Sequence, residues 1–201
     1  MTEKNKSKRE LNKHNKIKNL LASASELFIT KGFDKTSIDE ITKKSKVAKG
    51  TFYLYFTDKI DIRNKIIIEK SSELFDLAYK EVDKKSIATR EDKLIAFFDY
   101  IINYLADDKD LLSLIHKNIS VSFYRRVIKE DSKNNAIVRV LDNFREEFAD
   151  VFTGEEFLIN LFIIVEMVGS VIYSSIIHGE PAEIDLIKPY LYKNIRKIVG
   201  K

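Results

Sequence analysis

The stretch that decides the fold is residues 37–56, SIDEITKKSKVAKGTFYLYF. Ser37 can cap a short helix, because Glu40, three residues on, can return a hydrogen bond to the backbone N–H of the cap. Ile38 and Ile41 give this helix an inward face, and residues 45–47 form a turn. A second short helix follows. Two short amphipathic helices joined by a tight turn are typical of a helix-turn-helix motif.

The second helix has the composition of a DNA-reading helix. At 100° per residue, Phe52 and Phe56 point inward while Lys49, Gly50 and Tyr53 share an adjacent face. A glycine lets the backbone approach a phosphate closely. Tyrosine hydroxyls can reach phosphates, and tyrosine rings can touch thymine methyl groups. The pattern therefore favours a helix that enters the major groove.

Two flanking positions extend this face. Tyr55 offers a further hydroxyl, and Lys59 adds a cation at the first turn of the next helix, beside free N–H groups that suit a phosphate.

The charge is unevenly distributed along the chain. Residues 1–65 carry 16 Lys and Arg against 8 Asp and Glu, whereas the remainder carries 19 against 23. A basic smaller end on an acidic larger body indicates contact with a polyanion, although a solvated lysine-rich surface would give the same count.

Other classes of chemistry lack their residues. The chain has no cysteine, so a disulfide framework, a thiolate nucleophile and a zinc ribbon are excluded. His14, His116 and His178 are scattered and show no metal-ligand spacing. Neither a nucleophile–base pair nor a glycine-rich phosphate loop is present, so we expect no enzyme, no cofactor and no metal site. The polar start, Met1 to Lys13, lacks the apolar core of a signal peptide, so we expect a cytoplasmic protein.

Nearly all of the chain reads as helix, which predicts an all-α fold. Only two prolines and six glycines interrupt it, and strand-like alternation is missing from the sequence. We expect a mobile basic arm over residues 1–12, which could follow the DNA backbone or simply be a solubilising tail. A first helix carries an apolar stripe from Ile17 to Phe28 and stops at Gly32. After the two short helices, the predicted helices cover about 58–83, 89–107, 110–129, 134–152 and 153–178, with a last helix starting or kinked at Pro189.

The stretch GFDKTSIDEITKKSKVAKGTFYLYFTDK, residues 32–59, resembles the tetracycline-repressor (TetR) family of transcriptional regulators. The TSIDEI segment, the KGTFYLYF block and the lysine three residues after it carry the resemblance. It is strong over residues 15–65. Beyond them it rests on length, helical content and the order of the helices.

The resemblance implies a role for each matching residue. It makes Ser37 a cap that touches phosphate, and it places Lys49, Gly50 and Thr51 at the entrance to the groove. Tyr53 and Tyr55 become base-edge or phosphate contacts, and Lys59 a phosphate clamp. The complete predicted DNA-contacting set is Ser37, Lys46, Lys49, Gly50, Thr51, Tyr53, Tyr55 and Lys59.

The chain departs from the family pattern at two positions. Ala48 stands where many members have a capping serine, which weakens that cap by about 1 kcal/mol. Lys46 replaces a common glycine, so the turn must either accept a left-handed lysine or bend differently.

The resemblance also implies the overall organisation. We expect a DNA-binding helix-turn-helix domain of three helices over residues 1–57 and a helical-bundle domain over 58–201 that senses a ligand and dimerises. The homodimer would form through 156–178 and 187–199, which pair with their twofold mates. The expected function is repression, relieved when a small, mostly apolar effector releases operator DNA.

Aromatic side chains in the second domain suggest the effector pocket. We predict that it is lined by Phe97, Tyr100, Tyr104, Phe123, Tyr124 and Tyr173, with Glu166 available to orient a guest. Glu166 lies in the apolar stretch IIVEMV, so it is expected to be buried, either in a structural network or against a ligand.

Two alternatives remain open. The apolar stretch from Leu158 to Ile177 is long enough for a membrane span, but its Asn, Glu, Gly and Ser residues favour a buried bundle helix. The second domain could also hold a protein partner instead of a small ligand, which a bundle without a cavity would favour.

Overall fold

The chain folds into helices that group into two compact units. The computed structural model describes residues 3–116 and 136–200, with side chains from residue 8 onward. Within those ranges the helices are α1 (Glu3–Thr30), α2 (Ile38–Ser45), α3 (Lys49–Tyr53), α4 (Lys59–Asp83), α5 (Arg90–Asp107), α6 (Lys109–Ile115), α7 (Ala136–Glu147), α8 (Gly154–Tyr173) and α9 (Ile184–Val199). The units are Met1–Ile67 and Ile68–Lys201. The predicted all-α class is confirmed.

The first unit has a small apolar core. Leu20, Ile41 and Phe52 are completely buried, so α1, α2 and α3 each contribute a side chain to it. The ring centroids of Phe52 and Phe56 lie 5.6 Å apart, which brings the end of the motif against the same core. The inward faces predicted for both short helices are therefore present, although Ile38 is only half-buried, and burying them fixes which side of α3 faces out.

The arm expected over residues 1–12 is helical from Glu3 onward and continuous with the rest of α1, and the sequence analysis did not predict a helix there. Lys8 to Lys16 are exposed, and the segment has no apolar stripe that could pack on a core. The sequence pattern that marks a packed helix was therefore missing. Lys, Glu, Arg and Leu are nevertheless good helix formers, and neither Gly nor Pro interrupts the stretch. The packed part of α1 extends into solvent by propensity alone.

The predicted helix starts agree closely with the structure. Capping boxes form at Ser37 with Glu40 and at Thr153 with Glu156: the cap hydroxyl oxygen accepts from the backbone N–H of the glutamate, and the carboxylate accepts from the backbone N–H of the cap. Thr89 caps α5 by accepting a hydrogen bond from the N–H of Asp92. These short-range patterns were readable because the partners lie three residues apart.

The second unit is built around packed aromatic rings. The ring centroid of Phe97 lies 5.4 Å from that of Phe75 and 5.3 Å from that of Phe144, both edge to face. These contacts join α4, α5 and α7. Helix α5 also packs on α6 and α9, and α8 packs on α9. Edge-to-face pairs add about 0.5–1.5 kcal/mol each beyond the burial of their area.

Helix α8 ends in a π-helical turn, Ser174–His178, which Gly179 closes in a left-handed conformation at φ 71°. The following helix begins at Ile184 and runs through Pro189, so of the two alternatives for Pro189, a helix start is wrong by five residues and a kink stays a prediction. The predicted helix over 110–129 is observed only as α6, because its remainder lies outside the described residues, as do Phe123 and Tyr124.

The segment Gly154–His178 is long and apolar enough to cross a membrane by length and composition alone. A core or interface helix passes the same test, so this is a weak indication. Only a third of its most apolar stretch is buried within the chain.

Candidate nucleic-acid interface

The turn between α2 and α3 depends on one unusual residue. Lys46 adopts φ 56° and ψ 34°, the left-handed conformation that glycine takes most easily. Its N–H points back to the carbonyl of Lys43, and the N–H of Val47 donates to the carbonyl of Thr42 at 3.1 Å. Of the two expectations for this position, the structure shows the left-handed lysine. The Lys46 side chain is exposed.

Helix α3 begins without a side-chain cap. Ala48 has an extended backbone and makes no capping hydrogen bond, because its methyl side chain has no acceptor atom. Its carbonyl accepts from the N–H groups of Thr51 and Phe52 at 2.8 and 3.2 Å. The earliest N–H groups of α3 have no such side-chain acceptor in the structure, so they are suited to an external one such as a phosphate.

The outer face of α3 presents the predicted residues to solvent. Lys49 and Gly50 are exposed, and Tyr53 is 52% exposed while its ring packs edge to face on Phe52. A Cβ added at Gly50 would meet nothing within 4 Å, so the space above this backbone is open. Leu54 is 77% exposed and was not predicted. Leu54 lies four residues after Gly50, and this helical spacing was the signal that could have placed it on the same outward face.

The two other predicted groups on this segment are less accessible. Thr51 and Tyr55 are half-buried. They lie next to the inward phenylalanines in the sequence, which limits how far their hydroxyls reach.

A carboxylate that was not predicted lies against Lys49. Lys49 Nζ is 2.7 Å from Asp39 Oδ1, and both side chains are more than half exposed. The hydrogen bond with Asp39 raises the pKa of Lys49. Asp39 and Lys49 are ten residues apart and lie on different helices, so helical spacing could not predict this contact.

The capping box at Ser37 is tied to α1. The Ser37 hydroxyl donates to Glu40 Oε2 at 2.8 Å, and the same carboxylate accepts from the Ser37 backbone N–H at 2.8 Å. Lys31, just after α1, forms an ion pair with the other Glu40 oxygen. Hydrogen bonds from Lys31 and Ser37 lower the pKa of Glu40 from 4.5 to about 2. The Ser37 hydroxyl proton is thus already donated inside the motif.

Lys59 has a different environment from the one predicted for a phosphate clamp. Its ammonium donates to the carbonyls of Phe33 and Thr36 at 2.7 and 2.9 Å, and it lies 4.3 Å from the centroid of the Phe33 ring. Asp34 contributes a third, longer contact at 3.4 Å. The cation therefore binds backbone carbonyls of the segment between α1 and α2. In this structure Lys59 holds the turn.

The second unit contains a cavity with an almost wholly apolar surface. The cavity is small, is partly open to solvent, and lies between α4, α5, α6 and α8. Its lining is Phe75, Phe98, Ile101, Leu105, Leu112, Ile115, His116, Val165, Val168, Gly169 and Ile172.

The observed lining differs from the predicted one. Phe97 is buried among other rings instead, and Tyr100 stacks on Tyr104 away from the cavity, with Tyr104 39% exposed. Tyr173 does not line the cavity but stacks on His116, which does. Helical periodicity marked these aromatics as inward, yet it could not tell a packed core from a void, because a void depends on how neighbouring helices fill space.

Glu166 was expected to be buried, and that prediction is wrong for the single chain. It is exposed, on the face of α8 that also carries Ile159 and Ile163. The spacing of these residues is i, i+4 and i+7, so they form one stripe. Among residues 3–116 and 136–200, neither a buried network nor a cavity contact surrounds this carboxylate.

A basic helical unit that exposes α3 of a two-helix motif is the architecture of a helix-turn-helix regulator. Comparison with known proteins agrees: residues 20–66 match the model of the bacterial regulatory proteins of the tetR family. The chain therefore contains the N-terminal region of a TetR-family transcriptional regulator.

Three similar proteins illustrate the match. An uncharacterised helix-turn-helix transcriptional regulator of Bacillus subtilis, YvdT, is 34% identical over 109 residues, which are 54% of this chain and 51% of that protein. A TetR-family regulator from Streptomyces coelicolor superposes with a TM-score of 0.68 at 12% identity, covering 92% and 98% of the two chains. The regulator FadR from Bacillus subtilis, solved with stearoyl-CoA, gives 0.53 at 16% identity, covering 88% and 96%.

The chain spans about half the length of the curated relatives that it matches first. The structural matches cover nearly all of the chain, and at these identities they establish the fold alone.

Proposed function

We propose that this protein is a repressor that binds duplex operator DNA through α3. The single observation that carries the proposal is the orientation of α3: Phe52 is completely buried while Tyr53, Lys49 and Gly50 face solvent. Five residues are too few for a stable isolated helix, so the exposed face of α3 is held by the core beneath it. Such a rigid, basic, aromatic face suits the major groove.

The DNA contacts divide into two kinds. Tyr53 and Lys49 are proposed to reach base edges, with Gly50 and Thr51 bringing the backbone close to the groove wall. Ser37, Lys46 and Tyr55 are proposed to touch phosphates, which fix the position of the motif on the duplex. Lys59 acts in this proposal by holding the α1–α2 turn, and a phosphate contact would have to compete with its carbonyl partners.

The protein is proposed to act as a twofold dimer. Ile159 and Ile163 are 59% and 47% exposed on α8, and Leu186 and Tyr190 are exposed on α9. Large apolar side chains grouped at helical spacing are unfavourable in water, and a second copy of the same surface would cover them. Two DNA-binding units related by a twofold axis would read a near-palindromic operator.

The cavity is proposed to bind a small, mostly apolar effector that weakens operator binding. An apolar void inside a regulatory bundle favours this over the alternative, a protein partner, because a solid bundle would offer no guest site. The FadR structure solved with stearoyl-CoA also supports an apolar effector, since that regulator of the same fold holds a ligand with a long alkyl chain. Effector and operator must weaken each other reciprocally, since one coupling free energy links both sites.

Footprinting the full chain on the DNA that flanks its own gene tests the DNA-binding proposal. We expect a protected near-palindrome, and replacing Tyr53→Ala should weaken binding to it by about 1–3 kcal/mol. Leu54→Ala, on the neighbouring exposed position, is the matched control and should change affinity less. If Tyr53→Ala folds normally and binds the protected site as tightly as the wild type, α3 does not read this DNA.

A further inference from the structure

The exposed side of α8 has a carboxylate within an apolar stripe. Ile159 and Ile163 are 59% and 47% exposed, and Glu166 follows them on the same side, with the exposed Ser170 one turn further on. Among residues 3–116 and 136–200, nothing forms a hydrogen bond or an ion pair with Glu166. A surface that covers the two isoleucines also covers this carboxylate, and burying a charge without a partner is costly. The covering surface should therefore supply a cation.

The exposed side of α9 carries the opposite charge. Its stripe begins with Leu186 and Tyr190, which are 66% and 71% exposed, and continues with the exposed Lys193 and Lys197. These four residues are spaced i, i+4, i+7 and i+11, like the four of the α8 stripe. In the described part of the chain neither lysine has an ion-pair partner. Each helix thus carries an unpaired charge that the other helix could neutralise.

Glu166 and Lys193 lie at similar heights in one hairpin. Helix α8 packs on α9, and only residues 179–183 separate the π-helical turn from α9. Two packed helices with so short a connection run antiparallel. Glu166 lies 13 residues before Gly179, and Lys193 lies ten residues after Glu183. At 1.5 Å per residue both are about 15–20 Å from the connection.

The charges of the two stripes favour one arrangement of a twofold dimer. In such a dimer the same surface lies on both sides of the interface, so it must complement itself. If α8 faced the α8 of its partner, no cation of these stripes would meet Glu166, and the α9 lysines would face lysines. If α8 faces the partner's α9 instead, opposite charges meet at two symmetric places. A twofold axis along the hairpin gives this crossed arrangement and keeps each residue at its height.

We propose that α8 of each chain packs against α9 of a second copy, and that Glu166 forms an ion pair with Lys193 of the partner subunit. This inference rests on the proposed twofold dimer and identifies the residues that select its partner. The apolar side chains of both stripes exclude water around the pair, which strengthens the attraction. A chain that lacks either charge leaves the other one covered and unpaired, so the pair also discriminates against other partners.

The experiment reverses one charge in each of two full-length chains. Glu166→Lys alone puts lysine against lysine, and Lys193→Glu alone puts carboxylate against carboxylate. Each substitution should raise the dissociation constant of the homodimer by about tenfold or more. An equimolar mixture restores both ion pairs in a heterodimer, which should dissociate within about threefold of the wild-type constant. Light scattering across a dilution series measures the constants, and native mass spectrometry with one isotope-labelled chain counts the heterodimers.

Two controls accompany the mixture. Lys18→Glu reverses an exposed lysine of α1, and mixing this variant with Glu166→Lys should give no tightened heterodimer. Raising the salt concentration should recover part of the affinity of each homodimeric variant, because salt screens repulsion between like charges. Circular dichroism checks that every chain is folded, which the exposure of the substituted positions favours.

The outcomes separate this pairing from the dimer itself. The pairing is wrong if both variants fold and the mixture dimerises no better than either variant alone. It is also wrong if Glu166→Lys binds wild-type chains more tightly than wild type binds itself, because α8 would then face its own copy. Rescue by the double variant Glu166→Lys/Lys193→Glu without rescue by the mixture would place the pair inside one chain. A wild type that is monomeric would overturn the proposed dimer together with this inference.

Discussion

Lys49 and Asp39 form an ion pair between the first turns of α3 and α2, with Nζ and Oδ1 2.7 Å apart. The pair holds the one lysine of α3 in place before any DNA arrives. It also puts a carboxylate on the face that is proposed to meet phosphates. Because like charges repel, Asp39 should limit binding to DNA of any sequence while orienting Lys49 for a particular base.

We therefore predict that Asp39→Asn tightens DNA binding and loosens its selectivity. Removing one unit charge near a phosphate in water is worth about 1 kcal/mol, or roughly fivefold in affinity. The gain should be larger for random duplex than for the operator, so the ratio of the two affinities should fall. Fluorescence anisotropy on both duplexes at several salt concentrations measures this. Glu73→Gln removes the acid of an exposed pair with Lys70 in the second unit and should change neither affinity.

Lys59 gives a second prediction, because its two possible roles have different signatures. As the residue that holds the α1–α2 turn, Lys59 should contribute about 1–3 kcal/mol of folding free energy through its charged hydrogen bonds. We predict that Lys59→Met lowers the free energy of unfolding by this amount without DNA. The slope of log affinity against log salt should change by much less than one unit.

The contrary result for Lys59 is equally definite. A phosphate contact would lower the salt slope by about one unit at unchanged stability. Lys59→Arg keeps the charge but replaces a compact ammonium by a planar fork, so it should recover only part of the stability if carbonyl geometry matters.

Glu40 makes the stability of the first unit depend on pH. Its pKa is lowered from 4.5 to about 2 by Lys31 and Ser37. A carboxylate with a depressed folded-state pKa stabilises the fold above its unfolded pKa, so this contribution is complete above pH 4.5 and is lost as the pH falls from 4.5 towards 2. We predict that chemical denaturation becomes easier across this range, and that Glu40→Gln removes part of the dependence. Added salt should weaken the effect, since the pair with Lys31 is exposed.

The fold was predictable where its signals are local. Caps at Ser37, Thr89 and Thr153 could be read because each partner lies three residues along the chain. The helix over residues 3–12 was missed for the opposite reason, since a solvent-exposed helix has no apolar stripe to detect. Periodicity records burial, and it reports nothing about a helix held by propensity alone.

The sites were predictable only in part, because they depend on contacts between distant segments. The exposed face of α3 could be read from the positions of Phe52 and Tyr53. The carbonyl partners of Lys59 lie more than twenty residues away in the sequence. The sequence analysis could not detect them and therefore assigned the ammonium to a phosphate. The cavity lining could not be read either, because identical apolar patterns describe a filled core and one with space left in it.

The proposed dimer surface gives the last prediction. Val168 is 3% exposed and lines the cavity, so a lysine there would test the folding of the chain and not its association. Ile163 is the better position, since it is 47% exposed within the chain and would be covered only by a partner. Burying an unpaired carboxylate at a twofold interface is costly, and an Ile163→Asp substitution would place two carboxylates in each dimer.

We predict that Ile163→Asp dissociates the dimer while leaving each chain folded. A penalty of 2 kcal/mol or more raises the dissociation constant by about thirtyfold, which light scattering across a dilution series detects. Leu77→Asp is the matched control, because Leu77 is 44% exposed on α4, outside the proposed surface. The variant should also lose most of its operator affinity, because two linked DNA-binding units bind with the avidity of both. A wild type that scatters as a monomer would overturn the proposed dimer. An Ile163→Asp protein that remains dimeric would place the interface elsewhere.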